Sequence, residues 1–150
     1  RHYPEIAAGL AGSAGVWRAA VGRAAAALGA EEGADAPSLT FIPHLVPLQR
    51  GIVETIYVRP ATLPLPDVER LRAACEERYA GEPFIVLRAS PPQLKDVVGT
   101  NDCRLFVHTD RRGGRLVVVS VIDNLMKGAS GQAVQNMNVM LGLPETVGLL

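Results

Sequence analysis

Two histidines and one arginine in this sequence are candidates for proton transfer and for binding an anionic substrate. His2 directly precedes a predicted helix that begins with Tyr3 and Pro4. The positive end of a helix dipole favours the neutral imidazole, which can accept or release a proton near physiological pH. Arg50 follows a proline-bounded segment that also contains His44. Since a guanidinium fits carboxylate and phosphate oxygens, we predict that Arg50 holds an anionic substrate and that His44 contacts it.

Each of these residues also has a plain structural interpretation. On pattern alone, His2 is more often an exposed histidine near a chain end than an acid or base. Arg50 is as often a surface arginine at a turn, and His44 more often caps a strand. The residue pattern leaves these alternatives open.

The most distinctive segment is residues 123–138, DNLMKGASGQAVQNMN. From Gly128 to Pro144 it carries no charge, whereas a solvated helix normally carries Lys, Glu or Arg on its outer face. Gly128 and Gly131 leave the start of this helix bare, so a backbone or a flat ligand can come close. The segment is either a helix buried at a subunit or domain interface or a helix that lies against a cofactor. Its core-facing stripe is predicted to be Val134, Met137 and Leu141.

Hydrophobic periodicity and turn residues predict the elements that position these groups. Helices are predicted over residues 3–10 and 16–28, between Asp67 and Gly81, and over residues 129–141. Strands are predicted over residues 38–46, 52–59, 84–87, 103–108 and 115–122, with the last two forming a hairpin. The strand at 115–122 is almost continuously apolar, so we expect it to be central. This order predicts an α+β fold, with a mostly antiparallel (mixed) sheet and helices packed on one face.

Composition excludes several classes of function. The chain has 150 residues, 48% of them hydrophobic, and its 15 basic residues balance its 15 acidic ones. One domain is the expectation at this length, and a neutral chain is a poor candidate for binding nucleic acid or an anionic membrane. No apolar run reaches the roughly 20 residues that span a bilayer. We expect no signal peptide, and the missing initiator methionine suggests sequence upstream.

The two cysteines predict a reduced, cytoplasmic protein without a disulfide framework or a zinc site. Cys75 lies on the apolar face of the helix that follows Asp67, so we expect it in the core.

Four blocks in the same order resemble one family. They are RHYPEI at residues 1–6, FIPHLVPLQRGIVETIY at 41–57, VVGTNDCRLFV at 97–107 and the amide-rich segment with GLPETVGLL after it. Together they are similar to the C-terminal part of N-acetyl-gamma-glutamyl-phosphate reductases, in the superfamily of aspartate-semialdehyde and glyceraldehyde-phosphate dehydrogenases. The resemblance implies the C-terminal domain fold of that superfamily, with residues 1–150 as a single catalytic and dimerisation domain. Residues 12–37 look like an elaboration.

The resemblance also implies roles for particular residues. His2 matches the general base that assists an active-site cysteine in the family. That cysteine belongs to the nucleotide-binding part, which this chain lacks, so the isolated chain is predicted to be inactive. Asn124 matches an asparagine that contacts the nicotinamide. The other cofactor-binding candidates are Gly128, Gly131, Gln132 and Asn136.

The implied function is reduction of N-acetylglutamyl phosphate to its semialdehyde in arginine biosynthesis. The implied cofactor is NADP (NADPH), bound mainly by the missing N-terminal domain. The expected partners are the acyl-phosphate substrate and further copies of the chain, joined through the sheet as a dimer or tetramer. Two alternatives stand beside this one: an aminoadipyl-phosphate reductase of lysine biosynthesis, and a non-catalytic oligomerisation module.

Overall fold

The computed structural model describes residues 42–59 and 65–150. The described residues divide between Val46 and Pro47 into two units. Residues 42–46 have no regular secondary structure, so that part of the strand predicted at 38–46 is wrong. Pro43 explains this in part, because proline lacks the backbone donor that a strand ladder needs. The predicted helices at 3–10 and 16–28 lie outside the described residues.

The larger unit is built on a four-stranded sheet. Its strands are β1 (Ile52–Val58), β2 (Ile85–Leu87), β3 (Cys103–Asp110) and β4 (Arg115–Ile122). They lie in the order β1-β4-β3-β2, so the apolar β4 is central, as predicted. The β1–β4 and β3–β4 pairs are antiparallel and the short β2–β3 pair is parallel. The predicted mixed, mostly antiparallel sheet is thus confirmed.

Two α-helices accompany the sheet, α1 (Val68–Arg78) and α2 (Gly131–Met140). Asp67 is the N-cap of α1, as predicted, but its side chain pairs with Arg111 instead of capping the helix. A single 3-10 turn spans Leu94–Asp96, and a π-helical turn at Met126–Ser130 leads into α2. The predicted helix at 129–141 therefore begins two residues later as an α-helix.

One face of the sheet carries the core. Leu71 of α1 packs with Val107 and Leu116, and Cys75 and Val118 lie against this cluster. Alternating residues of a strand share a face, so Leu116, Val118 and Ile122 of β4 all point to this side. The π-helical turn also packs here, because Gly128 lies beside the Ile122 side chain. Helices on one face of the sheet are therefore confirmed.

The stripe predicted to face the core from the closing helix is wrong. Met137 and Leu141 are 49% and 66% exposed. The buried positions of α2 are Gly131 and Asn138, seven residues apart on one side of the helix. Glycine brings the backbone close to its neighbours, and the Asn138 amide binds carbonyls of the next segment. The close backbone approach at Gly131 and the hydrogen bonds of Asn138, rather than apolar contacts, therefore determine which side of α2 is buried.

Candidate functional site

The sheet register brings the candidate substrate residue and the candidate cofactor residue to one place. Ile52 pairs with Ile122, so the residues just before β1 meet the residues just after β4. Arg50 and Gly51 consequently lie against Asp123 and Asn124, although 73 positions separate each pair in sequence. This end of the sheet is the candidate site.

Asp123 is the centre of this site. Its side chain is completely buried. Oδ1 accepts backbone N–H groups from Leu125 at 2.8 Å and Met126 at 3.2 Å, and Oδ2 accepts the N–H of Gly99 at 2.6 Å. Burial by itself raises the pKa of this carboxyl. The hydrogen bonds from Arg50 and the three backbone groups outweigh it and hold the pKa well below its ordinary value.

Arg50 forms an ion pair with Asp123. Its Nε lies 2.9 Å from Oδ1 and 2.8 Å from Oδ2. The Asp123 side chain is inaccessible, whereas the Arg50 side chain is 34% exposed. The arginine is therefore anchored at its inner nitrogen and open to solvent farther out, which the surface-turn interpretation does not provide for.

Asn124 is fixed by the neighbouring strand start. Its Oδ1 accepts the backbone N–H of Gly51 at 2.6 Å. Gly51 has φ +108°, and a Cβ there would lie 2.3 Å from Leu94 Cδ2, so only glycine fits. Among the described residues Asn124 Nδ2 makes no hydrogen bond, so this fixed amide nitrogen is available to a ligand.

The π-helical turn starts from the same aspartate. The backbone N–H of Gly128 donates to the Asp123 carbonyl at 2.9 Å, and Ser130 N–H donates to Leu125 O at 3.1 Å. Such i to i+5 turns are rare and are frequent at functional sites. Gly128 is exposed, and a Cβ there would meet neighbours only at ordinary contact distance, 3.5 Å. Gly128 therefore leaves the backbone uncovered at this point, although packing does not require a glycine there.

Gly131, by contrast, is required by packing. A Cβ there would lie 2.2 Å from Asn101 Oδ1 and 2.9 Å from the carbonyl of Met126. The Asn101 oxygen is buried and accepts no hydrogen bond from the described residues. Cofactor contact at Gly131 stays a prediction, since its missing side chain already serves the helix approach.

The two remaining amide candidates lie on the solvent side of α2. Gln132 Nε2 donates to Asn136 Oδ1 at 2.9 Å, one helical turn apart. Among the described residues, neither side chain has a hydrogen bond to the Asp123 site. The structure therefore does not join these two residues to Arg50 and Asn124.

The two candidate histidines are not part of the described site. His2 lies outside the described residues. His44 is exposed, and its Nδ1 lies 3.1 Å from the carbonyl oxygen of Ile42 within its own segment. Their roles in proton transfer and substrate contact stay predictions.

The two cysteines, and Lys127 as the one lysine of residues 123–138, contact other protein groups outside the Asp123 site. Burial, reinforced by Glu76, raises the pKa of the Cys75 thiol, which fits the predicted core role. Cys103 Sγ lies 3.6 Å from Ser120 Oγ. Lys127 donates to Gln135 Oε1 at 2.7 Å. Burial lowers the pKa of Lys127, although Cys103 and the acidic side chains nearby act to raise it.

Sequence reasoning missed Asp123 as the anchor of Arg50. The available signal was an Asp-Asn pair directly after an almost continuously apolar strand, where a carboxylate has to become buried. In residues 42–59 and 65–150 no cluster of His, Cys, Asp and Glu could hold a metal ion. No helix in that part of the chain has the length and apolar character needed to cross a membrane.

Comparison with known proteins identifies the class. Residues 24–124 match the family described as semialdehyde dehydrogenase, dimerisation domain. The match covers more than half of the chain, and the chain belongs to this family. Its fold is the α+β domain that the resemblance implied.

Several similar curated proteins carry the name N-acetyl-gamma-glutamyl-phosphate reductase. The protein from Nitrosomonas eutropha is 46% identical over 99% of this chain, which corresponds to 37% of the relative. That from Laribacter hongkongensis is 48% identical with the same coverage. That from Desulforudis audaxviator is 54% identical over 75% of this chain and 33% of its own length. The chain thus spans little more than one third of these relatives.

Proposed function

We propose that this chain is the substrate-binding and oligomer-forming part of an N-acetyl-gamma-glutamyl-phosphate reductase. The observation that carries the proposal is 46–48% identity to reductases of that name over 99% of the chain. The complete enzyme would use NADPH to reduce N-acetylglutamyl phosphate to the semialdehyde, with release of phosphate, in cytoplasmic arginine biosynthesis. The aminoadipyl-phosphate substrate of lysine biosynthesis is the alternative that the experiment below separates.

The site residues divide the work of this reaction. His2 would move the proton, and Arg50 would bind an anionic group of the substrate. NADPH, when bound, supplies the hydride. The bare backbone at Gly128 and the donor amide of Asn124, whose oxygen Gly51 occupies, fit a nicotinamide carboxamide. The acyl chain would be held by a cysteine of the nucleotide-binding part.

The first experiment uses a polypeptide of the relatives' length that contains this chain. Phosphate-dependent reduction of NADP with N-acetylglutamate semialdehyde is followed in the wild type and in His2→Asn. We expect kcat to fall by about a hundredfold or more, as for loss of a general acid or base. Aminoadipate semialdehyde is the matched substrate control. Activity with that compound alone would move the assignment to the lysine-pathway enzyme, and activity with neither would reject it.

We also propose that the chain forms a homo-oligomer through its sheet. All seven residues of β1 are exposed, among them Val53 at 51% and Tyr57 at 62%. These two alternate on one face, away from α1, and a second copy of the same face would cover them. Charged variants Val53→Glu and Tyr57→Glu should lower the oligomer mass in analytical ultracentrifugation. Arg112→Glu, in the exposed β3–β4 turn, is the control.

A further inference from the structure

The contacts of Asp123 fix its carboxylate in one orientation. Both oxygens contact Arg50 Nε, at 2.9 and 2.8 Å. Each oxygen also accepts at least one backbone N–H from a different segment, Gly99 on one side and Leu125 on the other. A rotation of the carboxylate would break bonds on both sides at once. The group therefore provides a rigid seat for the guanidinium.

The outer part of the Arg50 guanidinium is differently placed. A guanidinium is planar and carries five N–H donors, of which four lie on the two terminal nitrogens. Within residues 42–59 and 65–150 none of these four donates to a protein acceptor. The side chain is 34% exposed, whereas the carboxylate behind it is inaccessible. The terminal nitrogens are thus held in place while they lack described partners.

We propose that Asp123 is a positioning residue, which holds Arg50 by Nε so that its two terminal nitrogens form a fixed fork for two oxygens of a carboxylate or phosphate group of the substrate. This inference rests on the proposed function, in which Arg50 binds substrate. A fork held in advance loses little side-chain entropy on binding and fits two oxygens in parallel. Because Asp123 cancels the arginine charge, the fork selects geometry more than net charge.

A purely structural ion pair is the competing explanation. The β1–β4 junction, however, is already closed by the Ile52–Ile122 ladder pair and by the hydrogen bond from Gly51 to Asn124. A buried ion pair adds little net stability over neutral packing, because desolvation offsets the attraction. The charged pair is therefore poorly explained by strand closure alone.

The test measures steady-state kinetics on the complete reductase. Asp123→Asn should raise the KM for the semialdehyde by about tenfold to a hundredfold, as expected when a binding group is misplaced. The KM for NADP should rise less than the KM for the semialdehyde, because Asn124 keeps its hydrogen bond to Gly51. In an Arg50→Met background, Asp123→Asn should add no further increase in the substrate KM. Asp102→Asn is the matched control, since it breaks the half-buried Asp102–Arg104 pair elsewhere in the fold.

The outcomes separate the two proposals. A folded Asp123→Asn enzyme with an unchanged substrate KM overturns the positioning role and leaves the reductase assignment intact. A raised KM in Arg50→Met that Asp123→Asn does not reproduce likewise overturns the positioning role alone. Absence of wild-type activity with either semialdehyde overturns both proposals.

A second measurement does not depend on a foldable Asp123 variant. Arginine-selective ¹⁵N labelling of the wild-type enzyme should show an Arg50 Nε–H that exchanges slowly before any ligand is added. Inorganic phosphate should then shift the terminal nitrogen resonances of Arg50 and leave Nε in place. Arg50→Lys removes these signals and so assigns them. A rapidly exchanging Nε–H, or no response to phosphate, would contradict the proposal.

Discussion

Two polar clusters lie inside the same unit and differ in what they leave open. The Asp123 cluster joins a buried carboxylate to Arg50, whose outer part reaches solvent. The amide cluster, formed by Asn101 together with Gln135 and Asn138 of α2, donates its hydrogen bonds to other groups of the protein. Asn101 Nδ2 donates to Gln135 Oε1 at 3.1 Å, and Gln135 Nε2 donates to Glu145 at 2.8 Å. The first cluster leaves part of a fixed arginine exposed, and the second joins chain segments.

The difference is not visible in residue type alone. Residues 123–138 attract attention because they are rich in amides, yet Asn138 and Gln135 are structural. The place of the candidate site is set by strand register, because the β1–β4 pairing brings Arg50 and Asn124 together at one end of the sheet. A polar residue becomes a site residue when its fixed partners leave part of it exposed.

The largest expected effect is the loss of Arg50 from its pair. Arg50→Met leaves the Asp123 carboxylate buried without its cation. We expect the free energy of unfolding to fall by about 3 kcal/mol at pH 7, the lower end for a broken buried pair because Arg50 is partly exposed. Urea denaturation measures this loss. The double variant with Asp123→Asn should recover part of it, and failure to do so would mean that the buried charge is not the cause.

The pH dependence of stability tests the same cluster. The pKa of Asp123 is lowered on folding, so its ionised form contributes stability at pH values above the unfolded-state pKa of about 4. That contribution is lost as the pH falls from there through the folded-state pKa. Urea unfolding between pH 6 and pH 3 should show a smaller acid loss in Asp123→Asn than in the wild type. Equal slopes in the two proteins would contradict the lowered pKa.

Gly128 in the π-helical turn and Gly131 at the start of α2 test ligand access and packing separately. Gly131→Ala would place its Cβ 2.2 Å from Asn101 Oδ1, so we expect a loss of about 1–3 kcal/mol from overpacking. Gly128→Ala meets nothing closer than 3.5 Å and should change stability by less than about 0.5 kcal/mol. In the complete enzyme, Gly128→Ala should instead raise the KM for NADPH. If the Gly131→Ala protein melted at the wild-type temperature, the Asn101 side chain would have to move aside to make room for the Cβ.

Much of the fold was predictable because β4 and its hairpin carry strong local signals. The apolar run at Arg115–Ile122 and the glycines of the turn determine both the strand and its central place. The helix at Val68–Arg78 was equally clear from its apolar spacing. The stripe of Met137 and Leu141 failed because hydrophobic spacing cannot reveal that a glycine and an asparagine make the closer contacts.

The site was predictable only in part. Arg50 and Asn124 were singled out separately, by residue type and by resemblance. Their junction depends on strand register, which a single sequence specifies only through long-range pairing. Asp123 directly follows the apolar strand β4, but its ion pair with Arg50 spans 73 positions and has no local signature.

Asn138 should matter more for stability than its neighbours on the same helix. Its Nδ2 donates to the carbonyls of Glu145 at 3.1 Å and Val147 at 2.9 Å, and the side chain is 1% exposed. Asn138→Ala removes one hydrogen-bond partner from each of two part-buried carbonyl groups. We expect a loss of about 1–3 kcal/mol by urea denaturation. Hydrogen exchange should also increase at residues 143–149, and unchanged exchange there would argue against this segment being held by Asn138.

The smallest effect is expected at the exposed amide pair of α2. Gln132 and Asn136 share one hydrogen bond across a helical turn, of a kind that contributes about 0.2–0.5 kcal/mol. Gln132→Ala and Asn136→Ala should therefore leave the thermal midpoint almost unchanged. If either residue contacts the cofactor, the same variants should raise the KM for NADPH in the complete enzyme. Because their stability is almost unchanged, such a rise would report lost cofactor binding. An unchanged KM in both variants would remove the pair from the cofactor site and leave Asn124, Gly128 and Gly131 as its candidates.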